Sequence, residues 1–303
     1  MTRQWIRTPT GRMIRRGPDR LKAMLTQRAA EAPLPIDIPE STETPTRASI
    51  AYSTESFDSR AIVGAEVTML GVGSVGSHCT SHLAPAQLRV NCVDDKTVQP
   101  HHTQGGRTIY DPSQIGLRKV DALRAKVERN WPGTTVIPYP YKTSDIPDAE
   151  LLDIFARSLV VVLAMDDPDE ILRVARLAYP VTDLVQVAMH AQAKSGHIAL
   201  SIPFVTPCLA CTLGISRAGQ IRRLDSEAGN AWDIITVAQL TARVVIDLLY
   251  SKIAGQPITR WDASKNLIYI ANTAQEISPD GPGITYEGSR KRPGGCPICN
   301  NLP

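Results

Sequence analysis

The stretch MLGVGSVGSH, Met69 to His78, places glycines at Gly71, Gly73 and Gly76, the G-x-G-x-x-G spacing. The apolar run Val67 to Leu70 leads into it, and Ser77 to Leu83 reads as a helix. A buried strand, a glycine turn and a helix in that order open a βαβ unit. Such a turn lets the backbone and a helix N-terminus approach a nucleotide phosphate. Alone it is weak evidence: NAD dehydrogenases, methyltransferases and adenylating enzymes share it, and so does a tight turn with no ligand.

Working outward, LRVNCVDD (Leu88 to Asp95) reads as a second strand ending in acids. Asp94 lies 23 positions after Gly71, where a carboxylate at a strand end can accept hydrogen bonds from ribose hydroxyls. The neighbouring Asp95 competes for that role. Gly116 to Trp131 is an amphipathic helix with Val120, Leu123 and Val127 at helical spacing. TTVIPYP is a third strand. SLVVVLAMDD, Ser158 to Asp167, is a central strand ending in two acids, and Pro168 opens a helix. LVQVAMHA and HIALSIPF are further strands, a long helix covers about Ala231 to Ile253, and NLIYIANT is a late strand. The pattern is β-α-β-α-β first and a mixed sheet later, a doubly wound, Rossmann-like α/β fold.

At 303 residues, 43% of them apolar, the chain can bury a sizeable core. A net charge of 33 − 30 = +3 does not imply nucleic acid. No uninterrupted apolar run approaches the ~20 residues of a membrane span, so none is expected. The expected location is cytoplasmic. The first thirty residues differ: Arg3, Arg7, Arg12, Arg15, Arg16, Arg20, Lys22 and Arg28 meet one acid, Asp19, with no apolar segment of a secretory signal. This is a basic arm, either flexible or gripping an acidic partner, and a transit peptide is a weaker reading. Pro33 to Thr46 (PLPIDIPESTETPT) reads as a linker. The expected organisation is therefore an arm and linker over residues 1–50 and one α/β domain over 51–303.

Cys208 and Cys211 stand in PCLACTLG, and Cys296 and Cys299 in GCPICN. Two distant C-x-x-C pairs suit tetrahedral zinc, because each pair offers two thiolates from one turn. A redox pair and plain buried thiols are the alternatives, and the second pair argues against both. Zinc would staple the C-terminal tail onto the body and supply folding energy rather than chemistry.

With GVGSVGSH, VDDKTV, IGLRKVDAL, AMDDPDE, TPCLACTLG and CPICN in this order, the chain resembles the ThiF/MoeB/E1-like family of ubiquitin-like-protein activating enzymes from about Asp58 to Cys299. The G-x-G-S-V-G-S phrase is similar to bacterial members in ubiquitin-like conjugation systems. The resemblance implies adenylation of the C-terminal carboxylate of a small β-grasp protein, using ATP and Mg²⁺. Residue by residue, it implies that Gly71, Gly73 and Gly76 admit the nucleotide and that Asp94 binds ribose. Lys119 would contact the phosphates, and Asp166 would hold Mg²⁺. Read locally, Asp166 is equally a cap for the helix opening at Pro168, and the two roles can divide between Asp166 and Asp167. Lys119 is equally an ordinary surface lysine.

Two departures from the family pattern stand out. Many members carry N-L-x-R-Q after the ribose acid, where this chain has HTQGGR, His102 to Arg107. Without gaps the arginine position falls on Gly105. With a small insertion Arg107 takes the role and Gln104 stands near the asparagine position. His101 and His102 read as solvent-exposed loop residues. Further, Thr212 to Asn230 contains no cysteine to form a thioester. Cys79 and Cys92 read as core thiols, so the chemistry is expected to stop at the adenylate and pass to a thiol on an E2-like or other protein. Ile215 to Asn230, with Arg217, Arg222 and Arg223, is expected to cover the cargo's tail. Family members usually form homodimers, and Arg60 is the nearest match to an arginine that crosses to the partner's ATP site.

The reading is thus an adenylating enzyme with structural zinc, for a ubiquitin-like protein in a bacterial conjugation pathway. A sulfur-carrier adenylyltransferase of thiamine or molybdopterin synthesis, a catalytically inactive binding scaffold and an NAD-dependent oxidoreductase are the alternatives. The last explains the glycines and Asp94 but not Lys119, Asp166 and the cysteines together.

Overall fold

In a computed structural model of the chain, residues 5–7, 13–15, 53–54, 57–214, 229–255, 258, 261–262, 265–273, 281–288, 296 and 298–299 are described. The Pro33 to Thr46 linker and Arg217, Arg222 and Arg223 lie outside them. The chain divides into two units, Met1–Ala51 with Asn300–Pro303, and Tyr52–Cys299. The described part of the first is an antiparallel pair, Trp5–Arg7 with Met13–Arg15, Ile6 opposite Ile14.

The second unit is built on one eight-stranded sheet. Its strands in chain order are β1 (Glu66–Leu70), β2 (Arg89–Val93), β3 (Thr135–Tyr139), β4 (Val160–Leu163), β5 (Asp183–Met189), β6 (Ser195–Ser201), β7 (Leu267–Ala271) and β8 (Gly283–Glu287). Their spatial order is 3-2-1-4-5-6-7-8. Strands β1 to β5 pair in parallel and β5 to β8 antiparallel. The parallel strands are near-continuous apolar runs because both faces are covered: Val160, Val161, Val162 and Leu163 of β4 are all fully buried.

Helices α1 (Ser74–Leu83), α2 (Lys119–Asn130), α3 (Asp148–Arg157), α4 (Pro168–Ala178), the short α5 (Leu209–Thr212) and α6 (Ala231–Ala254) join them. Right-handed crossovers put α1 and α2 on one face and α4 on the other. Helix α1 packs along α6, and α3 packs against α4. Val120, Leu123 and Val127 of α2 are buried as their spacing requires. Helix α6 is the one described helix long and apolar enough to cross a membrane. It is a core helix of this unit, with Val237, Ala238, Val245 and Leu249 buried against the rest of the core.

At the N-terminal ends of the strands polar groups meet one another. Lys252 of α6 pairs with buried Asp183 at 2.9 Å and donates to the Leu159 carbonyl. Thr68 and Ser158 hydroxyls meet at 2.6 Å. The C-terminal ends of β1, β2, β4 and β5 open into a cleft instead, at the switch point between β1 and β4 where open α/β sheets take ligands. Helix α3 and strand β8 extend the element order expected from the sequence.

Candidate active site

The chain leaves β1 through Gly71, whose φ of +88° is a conformation for glycine. Its N–H donates to the Val93 carbonyl of β2 at 2.8 Å. A Cβ on Gly71 would lie 2.6 Å from the Ala164 oxygen, and one on Gly76 would lie 2.0 Å from the Gly71 oxygen. Gly73 has nothing within 4 Å of that position and lines the cleft. The three glycines therefore have different jobs. Gly71 and Gly76 seat α1 against the strand ends, and Gly73 leaves ligand space open. We expect Gly76→Ala to overpack the turn at a cost of about 3 kcal/mol, seen as a lower thermal midpoint. Gly73→Ala keeps the wild-type midpoint and weakens Mg–ATP binding measured by calorimetry.

Asp94, just past β2, accepts from Val72 N–H through Oδ2 and from Lys96 N–H through Oδ1, both at 2.9 Å. These bonds aim the carboxylate at the glycine turn, and each oxygen keeps a lone pair for a ribose hydroxyl. Asp95 is exposed on the rim and makes no such bond to the turn. Asp94 is the better placed of the two.

The segment after Asp94 folds over the start of α1. His78 Nε2 donates to the Gly106 carbonyl at 2.9 Å, Arg107 Nε donates to Ser74 Oγ at 3.2 Å, and Tyr110 OH donates to the Val72 carbonyl at 2.7 Å. Arg107 thereby stands in the cleft beside the first turn of α1, while Gln104 and Gly105 are exposed and do not line it. His101 is exposed, as expected for a loop residue. His102 departs from that expectation: it is half-buried, its Nδ1 accepts from Gln99 N–H at 2.8 Å, and burial lowers its pKa to about 4. Both histidines line the cleft.

Lys119 begins α2, fixed by its N–H to the Lys96 carbonyl at 2.9 Å and by the Thr97–Arg118 bridge. It is only 4% exposed, yet it lines the cleft and has no carboxylate at ion-pair distance among the described residues. Burial lowers its pKa; Asp94 works against that, and Lys96 and Arg107 add to it. A buried cation at a helix N-terminus opposes the helix dipole. That is a local cost without a local benefit, which points to an anionic ligand.

The two acids after β4 divide their roles. Asp167 caps α4, accepting from Asp169 N–H at 3.1 Å and Glu170 N–H at 3.5 Å. Asp166 is exposed, lines the cleft, and makes no hydrogen bond or ion pair among the described residues. Its carboxylate is available to a divalent cation, and Mg²⁺ typically takes one or two carboxylates plus substrate phosphates. The cleft holds about 1040 Å³, at the upper end of the range of about 300–1,000 Å³ for small-molecule sites.

Apart from the cleft, Cys208, Cys211, Cys296 and Cys299 are all buried, with their sulfurs within 4.8 Å of one another. Cys208 lies 3.4 Å from Cys296 and Cys211 lies 3.6 Å from Cys299. A tetrahedron with Zn–S bonds of about 2.3 Å sets sulfurs about 3.8 Å apart, so the cluster fits zinc. Burial raises the Cys208 pKa. At Cys296 burial acts the same way, but hydrogen bonds from the backbone N–H groups of Cys299 and Ile298 and from the Cys208 and Cys211 thiols together outweigh it and lower the thiol to about 7.

The model of the ThiF family matches residues 51–275. The chain belongs to the ThiF family. Membership supports an E1-like adenylating enzyme that acts on a substrate carboxylate. Among curated proteins none matches the sequence significantly. Solved structures resemble this ThiF-family chain in fold. E. coli MccB is 15% identical, with a TM-score of 0.65 over 86% of this chain and 73% of that one. E. coli MccB with ATP gives 16%, 0.62, 80% and 68%. The microcin C7 biosynthetic enzyme MccB in complex with N-formylated MccA gives 16%, 0.62, 80% and 69%.

Other residues singled out in the sequence lie away from the cleft. Arg60 is held by Asp58, its Nη2 2.7 Å from Oδ2, and does not line the cleft. Cys79 and Cys92 are fully buried, and burial raises both thiols, Cys92 to about 12. Neither is placed to carry a thioester. Of Ile215 to Asn230 only Gly229 and Asn230 are described, and Gly229 lines the cleft. The sequence reading missed Ser74, Tyr110 and His190. Ser74 lies inside the glycine motif, where the glycines drew the reading; Tyr110 lacks a motif, and a histidine at a strand end carries no signal by itself.

Proposed function

We propose that this ThiF-family chain adenylates the C-terminal carboxylate of a small ubiquitin-like, β-grasp protein, in a bacterial conjugation pathway. The observation that carries the reading is the buried Lys119, without a carboxylate partner among the described residues, facing Gly73, Asp94 and the available carboxylate of Asp166 across one cleft. Phosphates lie over the first turn of α1, whose amides and dipole favour anions. Lys119 and Arg107 offset the charge that builds as an oxygen of the substrate carboxylate attacks the α-phosphorus. The bond from that phosphorus to the bridging oxygen breaks, and pyrophosphate leaves. Asp94 holds the ribose and so fixes the α-phosphate in line. Mg²⁺ bound at Asp166 would supply Lewis-acid charge beside the phosphates. Zinc on the four thiols has a structural role.

With Cys79 and Cys92 buried, the acyl group passes from the adenylate to a thiol of an E2-like or other acceptor protein: a thioester forms, the bond from the carbonyl carbon to the phosphate oxygen breaks, and AMP leaves. A homodimer is part of the proposal, as is a tail-covering role for Ile215 to Asn230. Sulfur-carrier adenylation uses the same cleft. It takes precedence if thiamine or molybdopterin carriers are adenylated and a ubiquitin-like partner is not. The test is ATP–pyrophosphate exchange with a β-grasp partner ending in glycine. Wild type gives partner-dependent exchange, and Asp166→Ala slows it by roughly tenfold to a hundredfold. A partner that binds tightly without exchange establishes a scaffold instead.

A further inference from the structure

Strands β5 and β6 carry a chain of polar side chains that the reaction above does not use. In their register His197 stands opposite Ala188, and Gln186 opposite Ala199. His190, just past β5, donates its backbone N–H to the Ser195 carbonyl. Gln186, His190, Ser195 and His197 therefore share one face, and the two alanines leave room for the rings. Ser195 Oγ lies 2.8 Å from His190 Nδ1, His190 Nε2 lies 2.8 Å from His197 Nδ1, and His197 Nε2 lies 2.7 Å from Gln186 Oε1.

The amide oxygen only accepts, so His197 Nε2 bears a hydrogen. In neutral rings the rest follows: His197 Nδ1 accepts from His190 Nε2–H, and His190 Nδ1 accepts from the Ser195 hydroxyl. One further proton fits on His190 Nδ1 if the hydroxyl turns to become the acceptor, and every bond survives. A second would set N–H against N–H at 2.8 Å. The pair is built to hold one added proton.

His190 lines the cleft with Ala188, Met189 and Ala193. Leu163, the last residue of β4, pairs with Gln186 of β5, and Asp166, three residues on, lines the cleft with Met189 and His190. The nucleotide's ribose belongs over β2, at Asp94. The β5 side, next to Asp166, is left for the second substrate. We propose that His190 is the positioning residue for the substrate carboxylate, and that the His190–His197 pair takes up one proton as that carboxylate enters.

This rests on the adenylation reading for the identity of the carboxylate. Burial disfavours the charged form of both rings, lowering His190 and taking His197 to about 4. Asp166, Asp167 and Glu170 line the same cleft and favour the proton, while Lys119 and Arg107 oppose it. Lys194 in the intervening turn is exposed, Tyr269 of β7 meets His197 edge-on at 6.5 Å, and α6 offers only apolar Ile234. An arriving carboxylate adds one negative charge and tips this balance.

The test uses the full chain with ¹⁵N-labelled histidine, its ring nitrogens followed against pH. The probes are N-acetylglycylglycine and its C-terminal amide. The acid, and not the amide, raises the pair's midpoint by about one pH unit, and His190→Gln abolishes the response. In exchange assays the cargo KM of wild type rises about tenfold in all, between the free and the bound pair's midpoints, and levels off above them, while kcat and the ATP KM stay level. In His190→Gln the cargo KM is high and flat, which separates His190 from His101 and His102. Normal exchange with a flat wild-type cargo KM overturns the carboxylate site alone. No exchange with any β-grasp partner, with the acid still moving the pair, overturns the adenylation reading and leaves the site standing.

Discussion

Replacing Lys119 by methionine is expected to slow partner-dependent pyrophosphate exchange by about 10²–10³ and to make the ligand-free chain more stable. Both effects follow from one placement. The ammonium group is buried at the N-terminus of α2, without a carboxylate partner among the described residues. Methionine matches the stem's volume and removes a desolvated charge that opposes the helix dipole. Swapping a buried charge for a packed apolar side chain can stabilise by about 1–4 kcal/mol, and each kcal/mol is worth roughly 2–4 °C in a domain of this size. The sign with pH follows from the lowered pKa. The wild-type penalty is complete below the lowered Lys119 value. It fades as pH climbs from there to the ordinary lysine range, because the folded chain can then shed the proton. The stabilisation in Lys119→Met is therefore fullest near neutrality and shrinks in alkali. Mg–ATP should reverse the order of the two midpoints, since only wild type gains binding energy. Scanning calorimetry of both chains, with and without Mg–ATP from pH 7 to 10, measures all of this. A variant that loses exchange and also loses stability would make Lys119 a structural cation.

That conflict between local rule and placement explains which parts of the site can be read from sequence. Asp94 is visible because strand, turn and helix lengths in a βαβ unit are nearly fixed, so 23 positions from Gly71 is a distance in space as well as in sequence. Lys119 stands out as a basic residue at the start of a helix, against the usual preference. The division between Asp166 and Asp167 is not visible, because either carboxylate can cap a helix opening at Pro168; only backbone geometry assigns the cap to Asp167. Nor is the division among the glycines, which depends on Ala164 of β4 pressing on Gly71. His190 lies just past β5 and His197 within β6, seven residues on, and no spacing rule joins them. Helix α3 did leave a signal, Leu151, Ile154 and Phe155 at helical spacing behind the acids Asp148 and Glu150. Strand β8 left little, since it is an edge strand with most positions exposed.

The cysteines give the second large effect, and it falls on the other half of the sheet. Cys208 and Cys296 are 88 residues apart in sequence, so a metal bridging them closes a loop containing α6, β7 and β8. Chain-entropy arithmetic for a cross-link of that span gives about 4–5 kcal/mol at most. Chelation, or Cys296→Ser, is expected to release one zinc per chain and lower the thermal midpoint by about 10 °C, taking roughly 2–4 °C per kcal/mol. The loss should not be uniform. Strand β8 buries little apolar surface and, among the described strands, pairs only with β7, so it depends on the tether that follows it. Helix α5 contains Cys211 and is held to the sheet by Asn266 Nδ2, which donates to Thr212 Oγ1 at 2.8 Å. Strands β1 and β4 are fully paired and buried on the far side of β5. Amide hydrogen exchange after metal removal should therefore rise in β8 and α5 first, while Leu70, Val162 and the glycine turn stay protected and Mg–ATP still binds. Equal loss of protection in β1 and β8 would mean that the cluster supports the whole domain. Unchanged exchange, with no zinc found by elemental analysis of the untreated chain, would mean that four thiols at van der Waals distance hold the tail without a metal.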